Sequence, residues 1–191
     1  VCSSDLPKFK FLIKDNVSSL GIYDQKTNTI YLASGYLTVP EFDFTDTIAK
    51  IFTLGKVEDV RSVLDHELAH YFLDSLSENK GRGNWPNYRE LSKENYLGLK
   101  MVSEGYASYV ENTMSDKHPI FLDIFWPKNR KILRTNKTTI YFGGYHLVKP
   151  IVDKYGLKGI EYMMFNPPKF KEIYNLKKYQ LKVINKLNQE L

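Results

Sequence analysis

A short segment from His66 to His70 has residue types and a spacing that can hold a metal ion beside a carboxylate. On an α-helix, residues four apart lie on one face, so the imidazoles of His66 and His70 would lie one above the other. Two neutral imidazoles in this arrangement can take two corners of a zinc tetrahedron. Glu67 lies beside them and can accept a proton from a zinc-bound water. The segment therefore predicts a site for one Zn²⁺ ion with Glu67 as a general base.

The sequence around this segment predicts a helix over residues 57–76. Glu58 and Asp59 place negative charge near its start, where the helix dipole favours it, and Gly81 and Gly83 are candidates for its end. Apolar residues recur at the three-to-four spacing of a buried helical face: Val60, Val63, Leu64, Leu68, Tyr71 and Phe72. A buried position for the motif requires partners for its imidazoles and carboxylate.

A catalytic zinc site needs a third protein ligand and one open position. Glu104, on a second helix predicted over residues 91–113, is the best candidate. We expect the small residues Gly105 and Ala107 to let this helix approach the metal helix closely. Glu111 lies on nearly the same face as Glu104 and is either a hydrogen-bond partner of one histidine or solvated. Asp74, one turn past His70, is a weaker rival as third ligand.

Three segments resemble the gluzincin zinc metallopeptidases, the HExxH…E class. They are residues 66–70 (HELAH), residues 104–111 (EGYASYVE) and residues 141–156 (YFGGYHLVKPIVDKYG). The second is most similar to the aminopeptidase N family, in which the zinc-binding glutamate is followed by glycine, an aromatic residue and alanine. The third resembles a stretch of that family in which a tyrosine stands three residues before a glycine that opens a helix.

The resemblance implies a minimal aminopeptidase N or thermolysin-like catalytic domain, in which His66, His70 and Glu104 bind zinc and a peptide or protein is the substrate. It also implies that Tyr141 donates a hydrogen bond to the oxyanion. Tyr145 and His146 remain alternatives, because a histidine has this role in thermolysin-like members. The motif that grips a free amino terminus in aminopeptidase N is absent from this chain, and both exopeptidase and endopeptidase action stay open.

The order of predicted elements indicates a single α+β domain over residues 1–191, with a zincin-like twisted sheet over the active-site helix and a mainly helical C-terminal part. Its expected parts are a strand-rich region, the metal-site helices and the helical region: 1–56, 57–113 and 120–191. Residues 21–33 predict a β-hairpin with a turn at Gln25–Asn28. Residues 29–34 are the candidate edge strand for pairing with an extended substrate.

Further helices are predicted over residues 141–155, 157–165 and 170–191. Gly156 would end the first of these, and the prolines after Asn166 would end the second. Pro150 would bend or interrupt the first.

The composition of the chain argues against some classes of protein, among them nucleic-acid-binding and membrane-spanning proteins. The net charge is +5, but the lysines are scattered among polar residues without an arginine-rich or glycine-aromatic motif, so nucleic acid is not an expected partner. One cysteine excludes an intrachain disulfide, and no apolar run has the length of a membrane span. We expect a soluble protein, cytoplasmic or secreted. The start at Val1 suggests a processed or trimmed N-terminus. The oligomeric state is left open.

Two other functions are compatible with the sequence. A catalytically inactive zinc-binding regulator on the same fold would share every ligand. A basic module that binds nucleic acid or an anionic surface would make the zinc pattern accidental, and its binding would depend steeply on salt.

Overall fold

The chain folds as an α+β protein with a small sheet and mainly helical content, as the sequence predicts. A computed structural model describes residues 10–15, 21–33, 60–80, 93–114 and 137–190. The strands are β1 (Lys10–Lys14), β2 (Gly21–Asp24) and β3 (Thr29–Ala33). The helices are α1 (Val60–Asn79), α2 (Lys93–Met114), α3 (Lys137–Phe165), α4 (Phe170–Ile173) and α5 (Leu176–Gln189). Within these ranges, no helix combines the length and apolarity needed to cross a membrane.

The predicted hairpin is confirmed. β2 and β3 pair in antiparallel orientation with Tyr23 opposite Ile30, and Asn28 in the connecting turn has the left-handed φ of 52°. However, β1 pairs in parallel with the other side of β3, so the strand order is β1-β3-β2. The prediction that the strand beginning at Thr29 is an edge strand is therefore wrong, because β3 is central. β2 packs against α1.

Helices α1 and α2 match the predicted metal-site helices, although the predicted starts at 57 and 91 and the glycines at 81 and 83 lie outside the described residues. α1 packs between the hairpin and α2. Glu67 and Asp74, seven residues apart, face the hairpin and accept hydrogen bonds from it. Ala69 and Leu73 contribute to the apolar core. Two faces of α1 are thus buried, one polar and one apolar.

Helices α2 and α3 cross at a pair of glycines. A methyl group placed on Gly105 would lie 2.2 Å from the carbonyl carbon and oxygen of Gly144, and one on Gly144 would lie 2.3 Å from the carbonyl oxygen of Met101. Only the absence of side chains permits this backbone contact. Gly105 therefore brings α2 against α3, and the expectation that it brings α2 against the metal helix is wrong.

α3 carries the two predicted helical segments. The helical backbone continues through Pro150 and breaks at Gly156, where φ is 55°. Pro150 has no N–H to donate to the carbonyl of His146, the residue four positions earlier. That carbonyl instead accepts a hydrogen bond of 2.7 Å from Nε2 of Gln180 in α5. This substitute bond explains how α3 accommodates a proline.

The last predicted helix is divided. α4 ends at Ile173, and α5 starts after Asn175, whose side chain accepts a hydrogen bond of 3.1 Å from the main-chain N–H of Lys178. A single helix over 170–191 is therefore wrong, because the Asn175 side chain caps a new helix. Tyr179 in α5 is buried and donates a hydrogen bond of 2.6 Å to the carbonyl of Asn166, which ties α5 to the end of α3.

Candidate metal centre

α1 places His66 and His70 on one face, and α2 brings Glu104 against them. The two imidazole centroids are 5.0 Å apart. The side chains of His66, His70 and Glu104 are 14%, 18% and 14% exposed, so the three groups lie near the base of a cleft and remain accessible from it. The structure therefore brings together the three residues that the sequence predicts as metal ligands.

The spacing of these ligand atoms fits a zinc ion. Oε2 of Glu104 lies 3.4 Å from Nε2 of His66 and 3.5 Å from Nε2 of His70. Ligand atoms about 2.05 Å from a tetrahedral zinc lie about 3.4 Å from one another. Oε2 of Glu104 is also buried and has no hydrogen-bond partner among the described residues. A cation between the three atoms would satisfy that oxygen, and two imidazoles with one carboxylate are a donor set that zinc accepts.

The other imidazole nitrogens are held by α2. Nδ1 of His66 lies 3.2 Å from Oε2 of Glu111, and Oε1 of the same carboxylate accepts a 2.8 Å hydrogen bond from Ser62. Nδ1 of His70 lies 2.9 Å from the hydroxyl of Ser103. A proton on each Nδ1, donated to these oxygens, leaves both Nε2 lone pairs for a metal.

Glu111 thus contacts a histidine, which is one of the two alternatives that the sequence predicts for it. The contact of Ser103 was not predicted. The only sequence signal for it is the position of Ser103 directly before Glu104, and that position alone does not say which side of α2 meets α1.

The pKa values of His66 and Glu104 are shifted by burial and by their mutual contacts. Burial alone would lower the pKa of His66, but contacts with the carboxylates of Glu104 and Glu111 raise it to about 9. Burial alone would raise the pKa of Glu104, but contacts with His66 and His70 hold it well below its usual range. In the metal-free chain a proton on His66 offsets the buried negative charge. A metal ion would displace that proton, so metal binding releases it.

Glu67 is fixed by the hairpin. Its buried carboxylate accepts a 2.7 Å hydrogen bond at Oε2 from the main-chain N–H of Tyr23 and lines the cleft. Gly21 makes this approach possible, because a methyl group there would lie 2.6 Å from Val63 and 3.0 Å from Cγ of Glu67. β2 therefore packs directly over the residue that the sequence predicts as the general base.

Asp74 is held by the same hairpin. Its Oδ2 accepts a 3.0 Å hydrogen bond from the hydroxyl of Tyr23, and its Oδ1 accepts one from the amide of Gln25. Asp74 is therefore engaged by β2 and the turn, and the structure groups Glu104 with the two histidines in its place.

The cleft has a volume of about 390 Å³. Tyr141 lines it, and its ring centroid lies 5.9 Å from that of His66. His146 is not among the described residues that line the cleft. Five residues further along α3, it lies about 140° around the helix from Tyr141. Tyr145 is buried and packs edge-on against the His146 ring. The oxyanion role of each residue remains a prediction.

Two cleft residues, Tyr96 and Lys100, were not predicted. They precede Glu104 by eight and four residues, so all three lie on the same face of α2. This spacing was visible in the sequence once Glu104 was considered a ligand.

No protein-family model, curated protein or solved structure matches this chain. The functional argument therefore rests on the chain's own residues and their geometry.

Proposed function

We propose that this protein is a zinc-dependent metallopeptidase of the gluzincin type on a zincin-like fold. The observation that carries the proposal is the distance of 3.4 Å and 3.5 Å from Oε2 of Glu104 to Nε2 of His66 and His70, beside the buried carboxylate of Glu67. The small sheet packed against α1 supports the fold assignment.

His66, His70 and Glu104 would hold the ion, and Glu111 and Ser103 would orient the two imidazoles. A zinc ion held there would lower the pKa of a bound water and polarise a substrate carbonyl.

Glu67 lines the same cleft as the three ligands, which supports a role in proton transfer. It accepts the proton that water loses as its oxygen forms a bond to the peptide carbonyl carbon. When the carbon–nitrogen bond breaks, Glu67 gives that proton to the departing amine. The Tyr23 N–H holds one carboxylate oxygen, so the carboxylate keeps its orientation while the proton moves.

Tyr141 is our candidate donor for the carbonyl oxygen, which becomes negative as water attacks. It lines the cleft, its ring lies beside that of His66, and its side chain is exposed to the cleft and solvent. A hydroxyl donor aimed at developing charge stabilises the transition state more than the substrate. This geometry favours Tyr141 over His146 for the role.

The test is Glu67→Gln, which keeps the shape of the side chain and removes its basicity. We expect the purified variant to retain zinc, measured by elemental analysis, and to lose cleavage of a broad peptide library by more than about a hundred-fold. Glu78→Gln, on an exposed part of the same helix, is the matched control and should cleave normally. Full activity of Glu67→Gln, or a wild-type chain that purifies without zinc and does not bind it, would reject the proposal.

A further inference from the structure

Among the described residues that line the cleft, Lys100 is the one lysine or arginine. Glu67, Asp74 and Glu104 line the same cleft. Each of these three carboxylates already has its own polar neighbours: the Tyr23 N–H for Glu67, the hairpin side chains for Asp74 and the imidazoles for Glu104. None of them neutralises Lys100.

Among the described residues, the ammonium of Lys100 lies near an aromatic ring. Its ammonium lies 5.9 Å from the ring centroid of Tyr96, and no described carboxylate forms an ion pair with it. Glu104 is its neighbour one turn along α2, but the Glu104 carboxylate is directed to His66 and His70. Lys100 is partly buried, and a partly desolvated ammonium gains more from an anion than an exposed one does.

The distance from Lys100 to the catalytic groups corresponds to a short length of peptide. Four helical residues rise about 6 Å, and an extended peptide advances about 3.3 Å per residue. An anion bound by Lys100 would therefore lie about two residues from a peptide bond held at Glu104 and Glu67.

From these observations we propose that Lys100 is a specificity-determining residue, which makes the site prefer peptides with a carboxylate within about two residues of the bond that is cut. The inference rests on the proposed peptidase function. An aspartate or glutamate side chain and a free C-terminal carboxylate offer the same chemistry to the ammonium, as a charge-assisted hydrogen bond.

The experiment uses the zinc-loaded chain and matched peptide pairs built on a sequence that it cleaves. In the first set, the two peptides of a pair have Glu or Gln at one position, and that position is in turn each of the two before the cut and each of the two after it. The other set differs by a free acid against an amide at a C-terminus placed one or two residues beyond the cut. We expect the carboxylate member of at least one pair to have a kcat/KM roughly ten-fold to a hundred-fold higher. The set in which the preference occurs identifies the source of the carboxylate.

Lys100→Gln should abolish this preference, so that the two members of each pair are cleaved with equal kcat/KM. Lys100→Glu should favour peptides with lysine at the same position. Lys154→Gln is the matched control, because Lys154 also lies over a tyrosine ring, at 4.9 Å from that of Tyr155, but outside the cleft. This control should keep the wild-type preference.

Two negative results are distinguishable. If the wild type cleaves both members of every pair equally, or if Lys100→Gln slows all peptides by the same factor, the inference is wrong and the proposed function stands. If the wild type neither binds zinc nor cleaves any peptide, the proposed function fails, and the inference fails with it. The comparison within wild-type pairs needs no variant, so the inference can be rejected even if a variant folds poorly.

Discussion

The contacts of α2 with its two neighbouring helices, α1 and α3, differ in the groups that they bring closest together. Towards α1, α2 presents Ser103, Glu104 and Glu111, and every contact that these make with His66 and His70 is polar. Towards α3, α2 presents Gly105 and main-chain atoms of Met101, which touch Gly144 directly. The contact with α1 contains this polar cluster beside the ring contact of Phe72 with Tyr106, and the contact with α3 contains closely packed backbone surrounded by apolar side chains.

The difference indicates a division of roles along one helix. Buried ionic clusters contribute little net stability, because desolvation offsets their attraction. Apolar burial and close packing supply most of the free energy of folding. The contact of α2 with α3 should therefore hold α2 in position, and the contact with α1 should use that position to bind an ion.

The largest expected effect comes from Glu104→Gln. The variant should lose stoichiometric zinc and lose peptide cleavage by more than about a hundred-fold, because the buried ligand oxygen no longer carries its charge. Its far-UV circular dichroism should match that of the wild type, since the apolar core is untouched. Elemental analysis and circular dichroism on the same sample check both statements. If the variant keeps one zinc per chain, Glu104 is not a zinc ligand.

A second variant tests the other contact. Gly144→Ala would place its methyl 2.3 Å from the Met101 carbonyl, so we expect the free energy of unfolding to fall by about 3 kcal/mol, at the upper end of overpacking effects. Gly156→Ala is the control, because a methyl there meets nothing within 4 Å and only the positive φ is penalised, at about 1 kcal/mol. Urea denaturation with a chelator present measures both. If both variants lose the same free energy of unfolding, the contact between Gly105 and Gly144 has room for a methyl group and the prediction is wrong.

The smallest effects should come from the residues that hold the imidazoles. Ser103→Ala and Glu111→Gln should each weaken zinc binding about ten-fold while α1 and α2 stay folded, because only the orientation of one ring is relaxed. Competition with a chelating dye measures the affinity. Ser108→Ala, a buried serine on the same helix without a histidine contact, should leave the affinity unchanged. An equal loss in that control would indicate a general weakening of α2.

Local patterns predicted the parts of the molecule that depend on local geometry. The four-residue spacing of His66 and His70 is a property of one helix, and the hairpin around Gln25–Asn28 is a property of one turn. Gly156 and the prolines after Asn166 likewise end helices through their own backbone restrictions. These features follow from the chain within a few residues of each.

The features that were missed depend on how distant segments pack. The central position of β3 arises because β1 pairs with it in parallel, and no pattern within residues 29–33 specifies that partner. Gly105 was assigned to the wrong neighbour because a small residue predicts close approach but not from which side. The break at Asn175 comes from competition between the side chain and the helix for the same N–H group, in which local residues permit either outcome.

The bond between the Tyr23 main-chain N–H and Glu67 has a consequence for how the protein tolerates change. Nineteen of the twenty common amino acids have this donor, and proline alone lacks it. Replacing the phenol ring at position 23 would free Asp74 from one partner and still leave the donor for Glu67 in place. The orientation of Glu67 thus depends on the path of a strand and, proline apart, not on the identity of the side chain at position 23, so an event that lifts β2 from α1 would undo it.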